Sequence, residues 1–266
     1  MRRLLTHFTH VARPYLRSYG LLQTAKVFNR SALVWDPGPE RVVVLAPHMD
    51  DETIGCGGSL ARHVSQGAQI DVVFLTDGRR GGSSGDRRAE QELIQVRRRE
   101  AQAALQILGV QHLHCLDLVD GELHSEPAAV ARLRELLLAT RPELIYLPCF
   151  LEEHPDHRAA SQLLLDATAG TALAPRCQCY EIWTPLFPNC FVNIDSVLEQ
   201  KKAAVLEYRS QLDGSDYLHT QLGLNAYRST AIVNAGCRYA EAFLSVPLAQ
   251  YRELFEAYGG SQGTRQ

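Results

Sequence analysis

The chain has no long apolar run, no regularly paired cysteines and no excess of positive charge. None of its apolar stretches approaches the roughly 20 residues that a membrane-spanning helix needs, which argues against a transmembrane protein. The formal net charge of −3 over 266 residues gives no general attraction for nucleic acid. The start at 1–5 contains arginine but is not followed by the apolar segment of a secretory signal. We therefore expect neither a nucleic-acid-binding protein nor a membrane-spanning one.

The cysteines are odd in number and form neither a metal-binding pair nor a disulfide framework. Several of them lie within apolar runs, where a free cysteine behaves as a small hydrophobic residue. This usage favours a reducing, cytoplasmic compartment. The seven cysteines are Cys56, Cys115, Cys149, Cys177, Cys179, Cys190 and Cys237.

Residues 1–38 are predicted to form an N-terminal extension, largely helical, in which arginines alternate with apolar side chains. A helix lying on a membrane surface is one interpretation of this pattern. Pro14 interrupts the segment and its polar face is only weakly basic, so packing on the domain or on a second subunit of a homo-oligomer is favoured. At the other end, residues 259–266 are predicted to be a disordered tail.

Apolar runs of strand length alternate with segments of helical periodicity through the first two thirds of the chain. Helices of this kind are predicted at 53–66, 87–108, 127–140 and 156–169, after strands at 41–45, 70–76, near 112–116 and at 144–147. Further strands are expected at 177–183 and 191–194, with helices at 196–210, 217–226 and 248–258. Alternation of strands and helices indicates an α/β protein, a single Rossmann-like domain whose mostly parallel sheet is flanked by helices.

The first and fourth predicted strands are expected to be neighbours, because the common order in such sheets is 3-2-1-4. The first strand ends at Pro47-His48-Met49-Asp50-Asp51-Glu52, and the fourth is followed by His154-Pro155-Asp156-His157. The carboxyl ends of adjacent parallel strands lie at the same edge of a sheet. The two polar segments are therefore expected to meet there and to form a metal site at the carboxyl ends of strands 1 and 4.

Clustered carboxylates at the end of a buried strand repel one another and resist desolvation unless a cation is bound. Two imidazoles and one carboxylate, with a position left for water, form a known catalytic zinc set. The predicted ligands are His48, His157 and either Asp50 or Asp51. The remaining aspartate would act as the general base toward that water. The same ligands also accept Fe²⁺ or Co²⁺.

Two further residues of the second segment are candidates for catalysis. His154 is predicted to lie near the metal without binding it and to stabilise or protonate the tetrahedral intermediate. Asp156 is predicted to orient an imidazole through a hydrogen bond. Other interpretations of the cluster are a non-haem iron oxygenase, which uses the same donor types, and a metal-stabilised sugar-binding module without turnover.

The two polar segments resemble the paired signatures of the LmbE-like / PIG-L family of zinc-dependent N-deacetylases. Weaker similarities, among them Thr76-Asp77-Gly78 and Tyr239-Ala240-Glu241-Ala242-Phe243, extend the resemblance over about residues 40–245. The resemblance implies an LmbE-like deacetylase domain at 39–258 that removes acetyl from an N-acetylglucosamine-type glycoside or conjugate. An amidase acting on a thiol–sugar conjugate is the alternative within the same family.

The resemblance also implies individual roles. It makes His48, Asp51 and His157 the metal ligands and Asp50 the general base. It further implies that Arg97 and Asp120 contact sugar hydroxyls.

The chain departs from the family pattern at Met49, where the family usually has proline. We expect altered loop geometry or a substrate contact there rather than loss of the metal. The glycine- and serine-rich segment 78–85 is predicted to be a mobile lid, with Arg79 or Arg80 touching substrate.

Overall fold

The structure is a computed structural model that describes residues 33–81, 87–212, 216–232 and 236–259. The strands are β1 (Leu33–Val34), β2 (Val42–Ala46), β3 (Ile70–Thr76), β4 (His112–Leu118), β5 (Leu144–Pro148), β6 (Arg176–Tyr180), β7 (Cys190–Asn193) and β8 (Ala240–Pro247). The helices are α1 (Asp51–Ser65), α2 (Arg87–Leu108), α3 (Pro127–Thr140), α4 (Pro155–Thr168), α5 (Leu198–Val205), α6 (Arg209–Leu212), α7 (Tyr217–Ser229) and α8 (Leu248–Leu254). A 3₁₀ turn at Asp195–Val197 precedes α5, and a π turn at Phe255–Gly259 follows α8.

These strands form one eight-stranded sheet in the order β1-β7-β8-β6-β5-β2-β3-β4. Strands β4, β3, β2 and β5 are the first four predicted strands in the expected order 3-2-1-4, and all of them pair in parallel. In particular, β2 pairs with β5, with Val42 opposite Leu144 and Val44 opposite Tyr146. The predicted α/β class with a mostly parallel sheet in a single domain is confirmed, and the ends of β2 and β5 lie side by side.

Helices cover both faces of the sheet. Successive side chains of a strand point to opposite faces, so each strand packs against helices on both sides. In β2, Val43 and Leu45 pack into one apolar cluster, which contains residues of α3, α4 and α8. Val42, Val44 and Ala46 pack into the other cluster, which contains residues of α1, α2 and α5. Every residue of β2 is buried. A strand buried on both faces is continuously apolar, which is why it is recognisable in the sequence.

Strand β8 was not predicted, although it lies inside the sheet between β6 and β7. It runs antiparallel to both neighbours. The prediction treated Tyr239–Phe243 only as a family similarity. The apolar run that continues through Phe243, Leu244 and Val246 up to Pro247 was the available strand signal.

The single helix predicted at 196–210 is wrong, because the structure has α5 and α6 separated by a turn. Glu207 and Tyr208 donate backbone hydrogen bonds to the carbonyls three residues earlier, at Ala204 and Val205, so the helix tightens and ends there. The phenol of Tyr208 then reaches across to the carboxylate of Glu52. The helix thus ends beside a long-range contact, which the periodicity of apolar residues in the sequence cannot reveal.

The described residues of the predicted N-terminal extension include β1, which pairs in parallel with β7. Trp35 packs against the apolar cluster that contains α1. Residues 1–32 and 260–266 lie outside the described ranges, as do positions 82–85 of the predicted lid, so those predictions stay untested. Across the described helices, none combines the length and apolar character that crossing a membrane requires.

Candidate active site

The segment after β2 turns sharply at Asp50 before α1 begins. Asp50 has φ 141° and ψ −29°, a backbone conformation that non-glycine residues rarely adopt. Its carbonyl accepts the first backbone hydrogen bonds of the helix, from Thr53 and Ile54. Strain of this kind persists only where the surroundings enforce it, and it concentrates at functional sites. Asp51 and Glu52 lie in the first turn of α1, where the helix dipole favours negative charge.

The segment after β5 enters α4 through His154, which caps the helix. The backbone N–H of Asp156 donates to Nδ1 of His154 at 3.2 Å. Pro155 occupies the first turn of the helix, where proline is well tolerated. Asp156 and His157 follow in that turn and are both buried. The motif therefore starts a helix and directs its side chains toward the end of β2.

The predicted ligands converge on one carboxylate oxygen. Oδ2 of Asp51 lies 3.3 Å from Nδ1 of His48 and 3.3 Å from Nε2 of His157. The side-chain nitrogens of His48, His154 and His157 also form a group close enough to hold a metal ion. Nδ1 of His154 already accepts the helix-capping hydrogen bond, which leaves that side chain only Nε2. Asp51, rather than Asp50, is thus the aspartate that lies between the two imidazoles.

The donor set fits a divalent cation, as the buried imidazole of His157 illustrates. Neither ring nitrogen of His157 has a partner with hydrogen-bond geometry among the described residues, and its side chain has 0% exposure. Leaving such polar atoms unpaired in a protein interior is costly, so they normally mark a ligand or a missing partner. Imidazole nitrogen and carboxylate oxygen are the donors that zinc and related metals accept.

The charged side chains of the cluster shift one another's pKa values. Burial acts to lower the pKa of His157, but the combined effects of Asp51 and Glu152 beside it exceed that of burial and raise the pKa to about 9. The pKa of Asp51 is lowered, because the effects of His157 and His48 exceed the opposing effect of burial. A metal ion would compete with these protons for the same nitrogens.

Asp50 lies beside this group and faces the pocket. Burial raises the pKa of Asp50 to about 7, against the opposing charge of Arg97, whose Nη2 lies 3.6 Å from Oδ2 of Asp50. A carboxylate with a pKa near neutrality is suited to accept and release a proton at physiological pH. The predicted general base is therefore distinct from the group between the imidazoles.

The second ring nitrogen of His48 faces two more carboxylates. Its Nε2 lies 3.1 Å from Oδ2 of Asp156 and 3.2 Å from Oδ1 of Asp120. Backbone N–H groups of Gly121 and Leu123 also donate to Asp156, at 2.7 and 3.2 Å. Asp156 thus contacts the imidazole of His48, and the predicted role of orienting that ring requires such a contact. Burial alone would lower the pKa of His48, but the hydrogen bonds to the three aspartates raise it well above its usual value.

Arg97 and Asp120, which the family resemblance assigned to sugar contacts, line the same pocket. Both are buried and already have protein partners. Arg97 donates to the carbonyls of Met49 at 2.7 Å and Gly78 at 3.2 Å. Oδ2 of Asp120 accepts from the backbone N–H of Arg80 at 2.9 Å. Sugar contact stays a prediction for both residues, and each has a second role in holding Met49 or His48.

Met49 itself has 0% exposure and packs in the apolar cluster that contains α1. The alternative that its side chain touches substrate is therefore wrong. Its carbonyl oxygen, held by Arg97, is the part that matters for the site.

Two buried glutamates were not assigned roles from the sequence. Glu52 accepts hydrogen bonds from the side chains of Thr53 and Tyr208 and from the backbone N–H of Asp50 at 3.2 Å. Glu152 accepts from consecutive backbone N–H groups at 182–184, and its Oε2 lies 3.8 Å from Nδ1 of His157. Glu52 adjoins the motif and was within reach of sequence reasoning. The partners of Glu152 depend on folding and leave no local signal.

These residues surround a pocket of about 360 Å³ at the carboxyl end of the sheet. Its floor carries the charged cluster, and its outer wall carries an aromatic pair, Trp183 and Tyr217. Arg80, the predicted substrate contact of the lid segment, also lines it. Such a pocket, with a few converging polar groups and shifted pKa values, is typical of a small-molecule site.

Comparison with known proteins finds similarity to deacetylases and also to a hydratase. The model of the family PIG-L: GlcNAc-PI de-N-acetylase matches residues 43–168. A diacetylchitobiose deacetylase from Thermococcus kodakarensis is 29% identical over 227 residues, covering 78% of this chain and 84% of that protein. A 4-oxalmesaconate hydratase from Pseudomonas putida is 28% identical over 262 residues, covering 90% and 96%. A conserved protein from Thermus thermophilus has a solved structure with 30% identity and a TM-score of 0.66, covering 77% of this chain and 94% of that one.

Proposed function

The chain belongs to the PIG-L (LmbE-like) family, and from that premise we propose that it is a metal-dependent N-deacetylase. Its substrate would be an N-acetylated amino sugar of the N-acetylglucosamine type, in a glycoside or conjugate. The similarity to a diacetylchitobiose deacetylase over most of both chains supports this substrate class. The domain would occupy residues 39–258, with 1–38 as an extension and 259–266 as a tail.

The metal would be held by Nδ1 of His48, a carboxylate oxygen of Asp51 and Nε2 of His157. The observation that carries the proposal is the meeting of these atoms around Asp51 Oδ2, where the buried His157 ring has no hydrogen-bond partner within the described part of the chain. When bound, such an ion lowers the pKa of water and polarises a carbonyl. Zinc is proposed, and Fe²⁺ or Co²⁺ suits the same donors.

The residues around the metal site would divide the remaining chemistry between them. Asp50 would accept a proton from the attacking water, whose oxygen bonds to the acetyl carbon. The carbon–nitrogen bond then breaks, and the amine nitrogen takes up a proton as acetate is released. His154 would stabilise or protonate the intermediate, since its ring centroid lies 4.8 Å from that of His48 at the pocket wall. Asp156 would keep the His48 ring oriented.

The test is acetate release from a panel of N-acetylglucosamine derivatives, with and without a chelator. The panel contains the free sugar and its nucleotide-linked, lipid-linked, aminoglycoside and thiol-linked forms. Chelator-sensitive release from at least one member, restored by added zinc, is expected. Cleavage of a thiol conjugate at a different amide would favour the amidase. No release by protein shown to contain metal would contradict the deacetylase, and sugar binding without turnover would favour the binding module.

A hydratase is the second candidate, because the chain aligns with almost the full length of the Pseudomonas hydratase. Adding water to a carbon–carbon double bond also needs an activated water and a proton carrier. Loss of ultraviolet absorbance from a conjugated unsaturated diacid, without acetate release from any sugar, would favour this activity. Cytoplasmic location and assembly into a homo-oligomer remain predictions.

A further inference from the structure

One buried carboxylate beside a predicted metal ligand has no role in the chemistry described above. Glu152 has 0% exposure and does not line the pocket. Its Oε2 lies 3.8 Å from Nδ1 of His157, whose side chain is equally buried. Burying a carboxylate is costly unless hydrogen bonds or a charged partner compensate for the lost hydration. The contacts of Glu152 therefore indicate what it does.

The backbone of Glu152 is fixed where β5 ends. Its N–H donates to the carbonyl of Cys149 at 3.0 Å, which forms a turn directly after the strand. Its carbonyl accepts from Nη1 of Arg158 at 2.8 Å, and Arg158 lies on α4. Because α4 also carries His157, the acid and the imidazole belong to one hydrogen-bonded unit.

The two oxygens of this carboxylate have different surroundings. Oε1 accepts the backbone N–H groups of Ile182 at 2.9 Å, Trp183 at 3.2 Å and Thr184 at 3.2 Å. Oε2 accepts a longer hydrogen bond from the N–H of Trp183, at 3.3 Å, and is the oxygen that faces His157. A carboxylate oxygen has two lone pairs, so Oε2 retains the capacity to accept from a second donor.

The imidazole of His157 is the group that can supply this donor. If Nε2 of His157 binds the metal, as proposed, the proton of the neutral ring is carried by Nδ1. A buried N–H group needs an acceptor. Nδ1 has no hydrogen-bond partner among the residues that the structure describes, and Oε2 of Glu152 lies beside it. A hydrogen bond between them requires the separation to shorten by about 1 Å.

The other imidazole of the site has a comparable arrangement. Nδ1 of His48 faces Asp51, and its Nε2 faces Asp156 at 3.1 Å and Asp120 at 3.2 Å. Imidazoles that bind a metal generally donate their second N–H to a carboxylate or a carbonyl. Each predicted imidazole ligand thus has Asp51 at one nitrogen and another carboxylate at the other nitrogen.

We propose that Glu152 is a positioning residue for the metal site, in which Oε2 accepts the Nδ1–H of His157 and so keeps Nε2 free to bind the metal. This inference rests on the metal site of the proposed function. Glu152 itself contacts neither the metal nor the substrate. The hydrogen bonds of Oε1 to the backbone at 182–184 hold the carboxylate in the orientation that this role requires.

The variant Glu152→Gln tests the proposal, because an amide has the shape of the carboxylate. Its oxygen should still accept the backbone N–H groups at 182–184, since an NH₂ group there would place donors against donors. The NH₂ group then faces His157 and donates to Nδ1, so the ring proton moves to Nε2 and competes with the metal. We expect the Kd for Zn²⁺, measured by competition with a chromophoric chelator, to rise about 10–100-fold.

Glu153→Gln is the matched control, because Glu153 is the exposed neighbour of Glu152. It removes the same charge one residue away and should leave the Kd within about twofold, as expected for an exposed charge. Circular dichroism of both variants should match that of the wild type. A fall in zinc affinity confined to Glu152→Gln would then reflect the contact with His157 rather than the loss of a negative charge.

Nitrogen NMR of the imidazoles supplies a readout that a merely structural role would not move. Zinc-loaded wild type should carry the His157 proton on Nδ1, with the downfield proton shift of a hydrogen bond to a carboxylate. This measurement needs no variant, so it decides the question even if Glu152→Gln does not fold. A His157 proton on Nε2, or an Nδ1 proton without that shift, would overturn the proposal.

The outcomes separate this inference from the proposed function. Zinc binding by wild type without acetate release would remove the deacetylase and leave the role of Glu152 standing. Acetate release together with an unchanged Kd in folded Glu152→Gln would overturn the role of Glu152 and leave the deacetylase standing. A wild-type protein that binds no Zn²⁺ would overturn both.

Discussion

Helix α1 contributes to two buried clusters of charge that differ in how their polar atoms are satisfied. The pocket cluster consists of His48, Asp50, Asp51 and His157. The core cluster is built around Lys201 and Glu241. In the core cluster, Nζ of Lys201 donates to Glu241 at 2.6 Å, to the carbonyl of Ile54 at 2.9 Å and to Asn225 at 3.2 Å. These contacts use every donor of the ammonium group.

Glu241 is equally well satisfied. It accepts the backbone N–H groups of Gly58 at 2.8 Å and Ser59 at 2.7 Å, and the Ser59 hydroxyl at 2.6 Å. In the pocket cluster, by contrast, neither ring nitrogen of His157 has a hydrogen-bond partner among the residues that the structure describes, and the backbone of Asp50 is strained. A closed network of this kind serves to hold α1 against the sheet, whereas an incomplete one at a pocket is left available for a ligand.

The largest expected effect on the pocket side is that of Asp50→Asn. Turnover should fall about 10³-fold, because an amide cannot act as the proton acceptor, while bound metal and stability stay close to wild type. Steady-state kinetics with a metal assay on the same sample make the measurement. Asp36→Asn is the control, since Asp36 is an exposed partner of Arg62. Normal turnover in Asp50→Asn would assign the base elsewhere.

Lys201→Met should have the opposite effect to Asp50→Asn, because it should lower stability and leave turnover nearly unchanged. Removing one partner of a buried ion pair strands the other charge, so we expect the free energy of unfolding to fall by about 3–5 kcal/mol. Turnover per folded molecule should remain near wild type. Denaturant unfolding compared with Lys202→Met tests this, because the neighbouring Lys202 pairs with exposed Glu199 and such surface pairs contribute about 0–1 kcal/mol. Equal destabilisation by the two variants would remove the distinction between core and surface pairs.

Metal should stabilise the pocket cluster and leave the core cluster independent of it. At a free metal concentration about 100 times the dissociation constant, binding adds about 2.7 kcal/mol to the free energy of unfolding. The same increment is expected in wild type and in Lys201→Met, because the side chains of the pocket cluster make no hydrogen bond to Lys201 or Glu241. Unfolding curves with metal and with chelator measure both increments. A much smaller increment in Lys201→Met would mean that the clusters are coupled.

The smallest effect is expected for Arg97→Lys. A lysine keeps the positive charge near Asp50 but cannot reproduce the paired hydrogen bonds to Met49 and Gly78, so kcat should fall about tenfold with little change in KM. Arg99→Lys, an exposed change on the same helix, is the control. A raised KM with unchanged kcat would instead support the sugar contact that the family resemblance implies for Arg97.

Much of the architecture follows from the sequence because its signals are local. Helix α2 begins and ends at the predicted residues 87 and 108, and the order of the first four strands follows from the rules for parallel sheets. Strand β8 was missed because it is joined antiparallel to an otherwise parallel sheet and follows no βα repeat. The break between α5 and α6 accompanies a contact from Tyr208 to Glu52, which lies 156 residues away in the sequence.

The residues of the candidate site also fall into two groups, those with a local signal in the sequence and those placed by long-range contacts. The segments containing His48, Asp51 and His157 are short and dense in ligand types, so their meeting could be predicted from topology. The contact of Asp120 with His48 and the support of residues 182–184 by Glu152 are long-range and leave no pattern in the sequence. The exposure of Trp183 could not be predicted either, because nothing in the sequence distinguishes it from a core tryptophan.

The metal content of the purified protein shows whether His48, Asp51 and His157 form a metal site. Wild type and Asp50→Asn should each contain about one divalent ion per chain, and His157→Ala should contain none while keeping the helical circular dichroism of the folded protein. Elemental analysis after exhaustive dialysis makes the measurement for all three proteins. Full metal occupancy in folded His157→Ala, or undiminished turnover by metal-free wild type, would contradict the account.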